Sequence, residues 1–431
     1  MGRSSSNLGI LVGGGPAPGI NGVIASAVIQ AGEEKKKVYG FMEGYKWLVT
    51  GDLDLLNANT VEFSIRDVSR IHFDGGSVLG TSRTNPLKTE DGVQNTIRML
   101  REKDIGYMIT IGGDDTAFAA SKIAEESKRE NIKIKFAHVP KTIDNDLPLP
   151  RNIPTFGFQT ARHVGADMIK NLMQDAKTAN RWYMVVAMGR HSGHLALGMA
   201  KSASATLCII PEQFDREKPI SVSEVCDIFE SSIIKRRATG SQHGIAVIAE
   251  GVAERLDAEE LASIPGTSVE RDAFGNLSLA EIDLGKIIKW EIERRFKERG
   301  EKFRLITIDI GYILRSADPI PFDQEYTRDL GYSAVYYLLS NREEHRDNAM
   351  ICIDGGELSP IKFEDIINPE TGKTAVRMVD VNSHSYRVAN EYMIRLRQRD
   401  IDDEEYLAKL AKAGKMTTEE FLKRFAYLAQ K

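Results

Sequence analysis

Short apolar runs alternate along the chain with segments whose apolar residues recur every three to four positions. The runs at 8–12, 107–111 and 134–139 have the length of buried strands, and helical spacing such as that of 92–103 lies between them. Apolar runs bounded by turn residues and alternating with helices are typical of parallel strands joined by helical crossovers. We therefore predict an α/β fold with doubly wound, mainly parallel sheets.

The same alternation resumes in the second half of the chain and predicts a second α/β/α domain. Further strands are expected at 182–188, 206–210, 244–249 and 305–310. The tail is charged and amphipathic, which predicts surface helices. The predicted organisation is a first domain at 1–150 completed by part of 316–395, a second domain at 151–315, and a C-terminal helical extension at 396–431.

The composition favours a globular protein of two or three domains and argues against nucleic-acid-binding, membrane and secreted classes. A chain of 431 residues, 42% of them hydrophobic, can form two or three domains with large cores. Its net charge of -5 favours no nucleic-acid partner, so an anionic substrate would need a local basic cluster. No apolar run reaches transmembrane length, the N-terminus is unlike a secretory signal, and three scattered cysteines fit a reducing compartment. We expect a cytoplasmic protein without a membrane partner.

The segment Pro140–Asp146 combines a lysine, a hydroxyl and two carboxylates at the end of a predicted strand. In open α/β sheets, ligands bind outside the carboxyl ends of the strands. Asp144 and Asp146 lie two residues apart, so in an extended chain they share one face. A divalent cation or a shared proton would relieve their repulsion. A plain turn is the alternative, since Asp-Asn-Asp before proline is common turn chemistry.

Glycine-rich turns occur at 13–22, 75–83 and 112–116. The first joins a strand to a helix, an arrangement in which backbone N–H groups can approach a phosphate. Its sequence fits neither the P-loop nor the dinucleotide fingerprint, and a tight strand–helix connection is the alternative. In the third turn, Asp115 or Thr116 is expected to cap the following helix, which leaves a second carboxylate for a ligand.

The predicted strand ends present cations, carboxylates and glycines: Gly14, Arg83, Asp114, Lys141, Asp144, Arg190, Glu250 and Arg315. Phosphoryl transfer needs a cradle for the phosphates, a cation across the transferred group and a base for the incoming hydroxyl. The glycine turns with Arg83 and Lys141 suit the cradle. Asp114, with Asp146 as a second candidate, suits Mg²⁺ because this ion prefers oxygen ligands. Asp144 suits the base.

Four motifs resemble those of the phosphofructokinase family: Gly112–Asp115, Pro140–Asp146, Met188–Arg190 and the turn at 13–22. The resemblance covers residues 8 to about 330 in the family's order. It implies two α/β domains facing a cleft, one for the phosphoryl donor and one for fructose 6-phosphate, with Mg²⁺ as cofactor.

The residues at the variable positions of these motifs resemble those of the family's pyrophosphate-dependent branch. ATP-using members usually have glycine where Asp115 and Lys141 stand, and aspartate where Pro16 stands. A carboxylate at 115 would occupy the place of the ATP α-phosphate, and Lys141 would add a cation for a donor without adenosine. The resemblance thus implies transfer from diphosphate to the 1-hydroxyl of fructose 6-phosphate.

Carried over by position, the resemblance implies a role for each motif residue. Asp144 would be the base, Thr142 would contact the transferred phosphate, and Asp114 would hold Mg²⁺. The catalytic set is Asp144, Lys141, Asp115 and Thr142, and the residues for the donor are Gly14, Arg83, Asp115 and Lys141. The residues for the sugar phosphate are Thr142, Asp144, Arg181, Met188, Gly189, Arg190, Glu250, Tyr312 and Arg315.

Arg181 matches a family arginine that reaches the site of a neighbouring subunit, which implies a homodimer or homotetramer with shared sites. An ordinary surface charge is the alternative for Arg181, and a structural residue at a helix start is the alternative for Glu250. Two rival functions stay open. One is an ATP-dependent kinase on the same fold, and the other is a silent regulatory subunit, which should have lost carboxylates that this chain keeps.

Overall fold

Parallel strands joined by helices run through residues 6–150, 153–264 and 283–430, which the computed structural model describes. The strands are β1 (Asn7–Val12), β2 (Val38–Phe41), β3 (Thr60–Phe63), β4 (Ile105–Gly112), β5 (Lys135–Thr142), β6 (Phe156–Gly157), β7 (Trp182–Ala187), β8 (Leu207–Ile209), β9 (Gly244–Ala249), β10 (Leu305–Ile310), β11 (Ala349–Met350), β12 (Ile353–Asp354), β13 (Glu357–Leu358) and β14 (Ile361–Lys362). The helices are α1 (Ile20–Glu33), α2 (Leu53–Ala58), α3 (Ile65–Val68), α4 (Gly92–Glu102), α5 (Asp114–Arg129), α6 (Phe158–Ala179), α7 (His194–Ala203), α8 (Val222–Ala238), α9 (Ala258–Ala262), α10 (Leu284–Glu298), α11 (Pro321–Leu339), α12 (His384–Tyr392), α13 (Gln398–Asp402), α14 (Glu404–Ala413) and α15 (Thr418–Phe425).

The first sheet has the strand order β14-β11-β5-β4-β1-β2-β3, with β6 beside β5. Its central strands pair in parallel, whereas the β2–β3 and β11–β14 pairs are antiparallel. Strand β1 is buried from Leu8 to Val12, as expected for a parallel strand covered on both faces. The order reverses beside β1, because the chain passes first to β2 on one side and later to β4 on the other.

The second sheet is parallel throughout, with the order β10-β7-β9-β8. All six residues of β7 and of β9 are buried, which matches their uninterrupted apolar sequences. Each sheet has its own hydrophobic core. The prediction of mainly parallel, doubly wound sheets is confirmed.

Contacts divide the chain into two units. Unit 1 comprises Met1–Ala161 and Tyr312–Arg377, and unit 2 comprises Arg162–Gly311 and Met378–Lys431. The sequence placed the corresponding limits at 150, 315 and 395. The buried Asp323 of α11 accepts hydrogen bonds from the N–H groups of Gly157 (3.0 Å) and Thr160 (2.8 Å), which ties the start of α6 to unit 1.

The predicted C-terminal helices are present and belong to unit 2. A buried charge network joins them to that unit. Arg295 of α10 pairs with Asp227, Glu230 and Glu291 at 2.5–3.2 Å, and Arg424 of α15 pairs with Glu230 at 2.8 Å. Buried ions need such compensation, so the network fixes where α15 docks on α8.

Two local expectations were wrong. The residue that caps α5 is Gly113, and no side chain makes a capping hydrogen bond, so neither Asp115 nor Thr116 is the cap. Asp114 and Asp115 instead lie in the first turn of α5, where the positive end of the helix dipole favours carboxylates. The chain between Asp144 and Asp146 is not extended, because Asn145 has a φ of +57°.

Candidate active site

The carboxyl ends of β1, β4 and β5 lie side by side in unit 1. Register pairs Val12 with Ile111 and Gly112 with Pro140, so the turns that follow the three strands leave the same edge of the sheet. This edge is also where the strand order reverses, which is the usual ligand site of an open α/β sheet. The three sequence motifs predicted to hold phosphates and metal therefore converge.

Lys141 is the centre of this region. Its side chain is only 3% exposed, and its ammonium donates a hydrogen bond to the backbone oxygen of Gly15. Gly14 has a φ of +81°, and a Cβ there would stand 3.5 Å from the Lys141 Nζ. Burial lowers the pKa of Lys141 to about 8, and the charge of Arg315 acts in the same direction. The ammonium form still predominates at neutral pH.

Arg315 lies on the other side of the glycine turn. A Cβ on Gly15 would be 3.2 Å from its guanidinium carbon, which also stands 4.9 Å from the ring of the exposed Tyr312. The sequence assigned both residues to the second domain as sugar-phosphate ligands, whereas contacts group them with unit 1. Arg315 and Lys141 together place two cations against one glycine-rich turn.

Three carboxylates face these cations. Asp114, Asp144 and Asp146 each act to raise the pKa of Lys141 and so oppose the effect of burial. Asp114 and the adjacent Asp115 are exposed at the start of α5. The described residues contain no ready-made group of three or more metal-ligating side chains. Magnesium usually takes one or two carboxylates and completes its shell with water and phosphate oxygens, and the exposed Asp114 fits that requirement.

The segment after β5 is shaped by Asn145 and by a residue far along the chain, Arg377. Asn145 takes up the left-handed conformation, and its Oδ1 accepts from the N–H of Thr155 at 3.0 Å. The Arg377 guanidinium donates to Asn145 Oδ1 and to four backbone oxygens, those of Asn145, Leu149, Pro150 and Ile153, the last at 2.7 Å. The Arg377 N–H also donates to the Asp146 oxygen, at 2.7 Å. Arg377 therefore fixes the loop that carries both aspartates.

Thr142 and the arginine loop complete this region. The Thr142 hydroxyl accepts from the N–H of Asp144 at 3.0 Å, which holds the turn that presents the carboxylate. Gly14 is joined to the loop before Arg83, because its N–H donates to the Ser82 oxygen (2.8 Å) and its oxygen accepts from the Thr81 hydroxyl (2.6 Å). The exposed Arg83 thus begins next to the glycine turn.

A second cluster lies at the carboxyl ends of the strands of unit 2. The N–H of Met188 donates to the Ile310 oxygen at 3.0 Å, and the N–H of Gly189 donates to Glu250 Oε2 at 3.4 Å. Arg190 is half exposed and its Nε stands 3.9 Å from Glu250 Oε1. The structure thus brings together Met188, Gly189, Arg190 and Glu250. A cation and a carboxylate side by side suit a ligand that carries both phosphate and hydroxyl groups.

Arg181 does not join this cluster. It precedes β7, whereas Met188 follows that strand, so six residues of extended chain, about 20 Å, separate them. Its side chain is 45% exposed and its Nε stands 4.0 Å from Asp175 Oδ2. Arg181 is therefore a surface residue at the opposite end of the second sheet.

With this geometry established, similarity to known proteins identifies the family. The sequence model described as Phosphofructokinase matches residues 7–338. The chain belongs to the phosphofructokinase family. A solved structure described as a pyrophosphate-dependent phosphofructokinase from Nitrosospira multiformis aligns with a TM-score of 0.65 at 18% identity, covering 90% of each chain. At that identity the likeness supports the fold alone.

Two curated relatives of this family member match it over nearly their whole lengths. One, from Thermotoga maritima, is 53% identical over 98% of both chains, and one from Naegleria fowleri is 46% identical over 99% of this chain and 97% of its own. Both are named pyrophosphate--fructose 6-phosphate 1-phosphotransferase. Among the described helices, none has the length and apolarity needed to cross a membrane.

Sequence reasoning missed several residues that shape the site. Arg377 lies more than 220 residues from the loop it holds, and no local pattern indicates that contact. His138 is buried behind the strand ends, where it bonds the Gly112 oxygen (3.0 Å) and the Thr110 hydroxyl (2.9 Å), and burial lowers its pKa to about 3. Asn145 could have been anticipated, since asparagine tolerates the left-handed conformation in turns.

We predict that Arg377→Met loosens the segment after β5. Loss of the five guanidinium hydrogen bonds should lower the local opening free energy of this segment, and the amides of 143–150 and 153–155 should exchange with solvent about tenfold faster or more. Hydrogen exchange followed by mass spectrometry measures this, with the exposed Arg346→Met as control. Unchanged exchange at 143–150 and 153–155 would show that Arg377 is not what orders the loop.

Proposed function

We propose that this chain is a pyrophosphate-dependent 6-phosphofructokinase. It transfers a phosphoryl group reversibly from diphosphate to the 1-hydroxyl of fructose 6-phosphate, a glycolytic reaction, and yields fructose 1,6-bisphosphate and phosphate. The observation that carries the proposal is the buried Lys141 ammonium at the glycine turn, with Arg315 beside it. Two fixed cations at a turn of backbone N–H groups suit a small, highly charged donor that has no adenosine to bind.

The relatives and the residue at 115 support pyrophosphate as the donor. The two full-length relatives described above carry pyrophosphate in their names. Asp115 is exposed in the first turn of α5, next to Asp114. A second carboxylate at this helix start repels additional phosphate, so a longer nucleotide chain would bind there at a cost in free energy.

The reaction needs a base, and Asp144 fits that role. In the proposed step, the Asp144 carboxylate takes the proton of the sugar 1-hydroxyl while the hydroxyl oxygen forms a bond to the donor phosphorus. The bridging P–O bond breaks and phosphate leaves. Thr142 orients Asp144 through its hydrogen bond to the Asp144 N–H, and Arg377 holds the loop beyond it. Lys141 and Arg315 balance charge on the phosphoryl oxygens.

Mg²⁺ is the cofactor that this chemistry implies. Asp114 would hold it, with Asp146 as a second candidate, and the ion would supply charge neutralisation on the donor phosphates.

In unit 2, Met188, Gly189, Arg190 and Glu250 would bind the sugar phosphate. Tyr312 and Arg315 were expected there too, and Arg315 also stands within reach of the donor turn.

Oligomeric state and location follow as further parts of the proposal. Arg181 stands at the opposite end of β7 from Met188, so it can serve a sugar site only from another subunit. A homodimer or homotetramer with shared sites, which the family resemblance implies for this arginine, would place it there. The three cysteines are buried and free, which suits a cytoplasmic enzyme.

A single assay tests the donor. Fructose 6-phosphate and Mg²⁺ are supplied with either pyrophosphate or ATP, and fructose 1,6-bisphosphate is measured. We expect turnover with pyrophosphate, little with ATP, and a phosphate-dependent reverse reaction. Turnover with ATP alone would support the ATP-dependent alternative, and no turnover with either donor would support the silent subunit.

Asp144→Asn tests the base. The substitution keeps the side-chain shape but removes the proton acceptor, so kcat should fall about 10³-fold while fructose 6-phosphate still binds. Steady-state kinetics and calorimetric binding of the sugar phosphate measure the two quantities. The exposed Asp54→Asn is the control. Retention of the parental rate would remove Asp144 from the mechanism.

Asp115→Gly and Asp115→Asn separate size from charge in donor selection. The glycine variant should admit ATP and lose pyrophosphate activity, at a helix cost of about 1 kcal/mol or less at this first-turn position. The asparagine variant removes the charge alone, so it should gain less ATP activity if space matters. The ratio of kcat/KM for the two donors is the measurement. Continued exclusion of ATP in both variants would contradict a donor-selecting role for residue 115.

A further inference from the structure

A cavity in unit 2 is built largely by chain that lies beyond the family's matched region, which ends at 338. Its volume is about 460 Å³. Helix α12 and residues 393–397 line one side, and α8 with the turn after β8 lines the other. The cavity belongs neither to the glycine-turn region of unit 1 nor to the Met188–Arg190 cluster, none of whose residues line it.

Arg395 lines this cavity and is the unusual residue in it. Its Nη2 donates to the backbone oxygen of Cys208 and to Gln213 Oε1, the latter at 2.9 Å. Its Nε is buried without a hydrogen-bond partner. It forms no ion pair with any carboxylate in the described parts of the chain. A buried guanidinium without a counter-charge costs several kcal/mol, so such groups are normally paired.

Arg295, in the same unit, shows how this chain otherwise treats a buried arginine. Its side chain is 4% exposed and it pairs with three carboxylates, those of Asp227, Glu230 and Glu291. The charged neighbours raise the pKa of Arg295, whereas burial lowers the pKa of Arg395. The two residues therefore differ in their surroundings, because Arg295 forms ion pairs with carboxylates and Arg395 forms none with the described residues.

The remaining charges around the cavity do not compensate Arg395. Arg397 pairs with Glu391, and both lie in the lining. The lining also contains Arg387 and Glu224, which carry opposite charges. The buried Glu212 lies nearby in unit 2. Its Oε1 accepts from the N–H groups of Gly193 (2.9 Å) and Val379 (3.0 Å), and its Oε2 is buried without a hydrogen-bond partner, but it forms no ion pair with Arg395. Among the lining residues themselves, three arginines (Arg387, Arg395 and Arg397) stand against two glutamates (Glu224 and Glu391), so the lining carries one positive charge in excess.

The rest of the lining is apolar and indicates the size of the ligand. Phe214, Ile228, Leu396 and Leu428 contribute hydrocarbon surface to the lining. A volume of about 460 Å³ lies within the range of about 300–1,000 Å³ that small-molecule sites usually have. A bare inorganic anion would leave the apolar part unfilled, whereas an anionic group on a small hydrocarbon body would use both parts.

We propose that this cavity is a binding site for a small organic anion, whose phosphate or carboxylate group pairs with Arg395 and whose apolar body lies against Phe214 and Leu428. Planar guanidinium groups bind both phosphate and carboxylate through paired hydrogen bonds. The site is separate from the proposed reaction and does not depend on it.

Calorimetric titration of the full chain tests the site with three probes that share a benzene ring: phenyl phosphate, phenylacetate and the neutral benzyl alcohol. Pyrophosphate and Mg²⁺ are present throughout to occupy the donor site. Two substitutions are designed to prevent anion binding in the cavity, one by removing its charge and the other by filling its volume. Arg395→Met removes the charge at similar volume, and Ala429→Trp fills the cavity while leaving Arg395 in place. The exposed Arg399→Met is the matched control.

We expect one or both anions to bind the parent chain and Arg399→Met, and to bind Arg395→Met and Ala429→Trp about tenfold more weakly or worse. The relative affinities of the two anions identify the preferred headgroup. Equal binding of benzyl alcohol would overturn the proposal, because the charge would then play no part. Anion binding that survives both substitutions, or no binding up to about 10 mM, would overturn it as well.

Discussion

The buried ammonium of Lys141 is the interaction on which the unit 1 site depends. A lysine that is 3% exposed needs compensation, and it receives a hydrogen bond to Gly15 and the field of three carboxylates. In return it holds the ends of β1 and β5 together. Glycine at position 14 is favoured by its φ of +81°, and a Cβ there would lie in van der Waals contact with the ammonium, at 3.5 Å. The Lys141 ammonium and the glycine turn therefore depend on each other structurally.

On the proposed function, this arrangement would let a few charged residues determine which phosphoryl donor binds. Phosphoryl transfer depends mainly on position and charge, because the protein does little covalent chemistry. Lys141 and Arg315 set a positive field at the turn, while Asp114 and Asp115 set a negative one at the start of α5. A phosphoryl donor would have to bind next to the positive charges without being repelled by the negative ones. On the proposed function, pyrophosphate would do so compactly, since its charge would lie near the cations and it has no nucleoside to accommodate.

The C-terminal third of the chain contributes more than its sequence suggests. Helix α11 returns to unit 1 and packs closely on α1, where a Cβ on Gly22 would stand 2.2 Å from the Thr327 hydroxyl oxygen. Arg377 then orders the loop after β5. Beyond it, the chain joins unit 2, where Arg424 enters a balanced charge network and Arg395 is left unpaired. One segment thus supports the reaction loop, stabilises the second unit and lines a separate cavity.

The strand–helix alternation, the glycine turns and the chemistry at the strand ends can all be predicted from the order of the residues. These features are local: apolar runs bury themselves as parallel strands, and motifs such as Pro140–Asp146 lie in one stretch of chain. Even so, the cap of α5 and the bend at Asn145 were misread, because helix starts and turns depend on a few competing hydrogen bonds.

Which distant residues share a region became evident from the folded structure. It brought Arg315 to Gly15 and Arg377 to Asn145, and it separated Arg181 from Met188 by the length of a strand. It also showed that Arg295 forms ion pairs and Arg395 does not. The physical reason is that burial and charge compensation are properties of three-dimensional neighbourhoods, which chain distance does not encode.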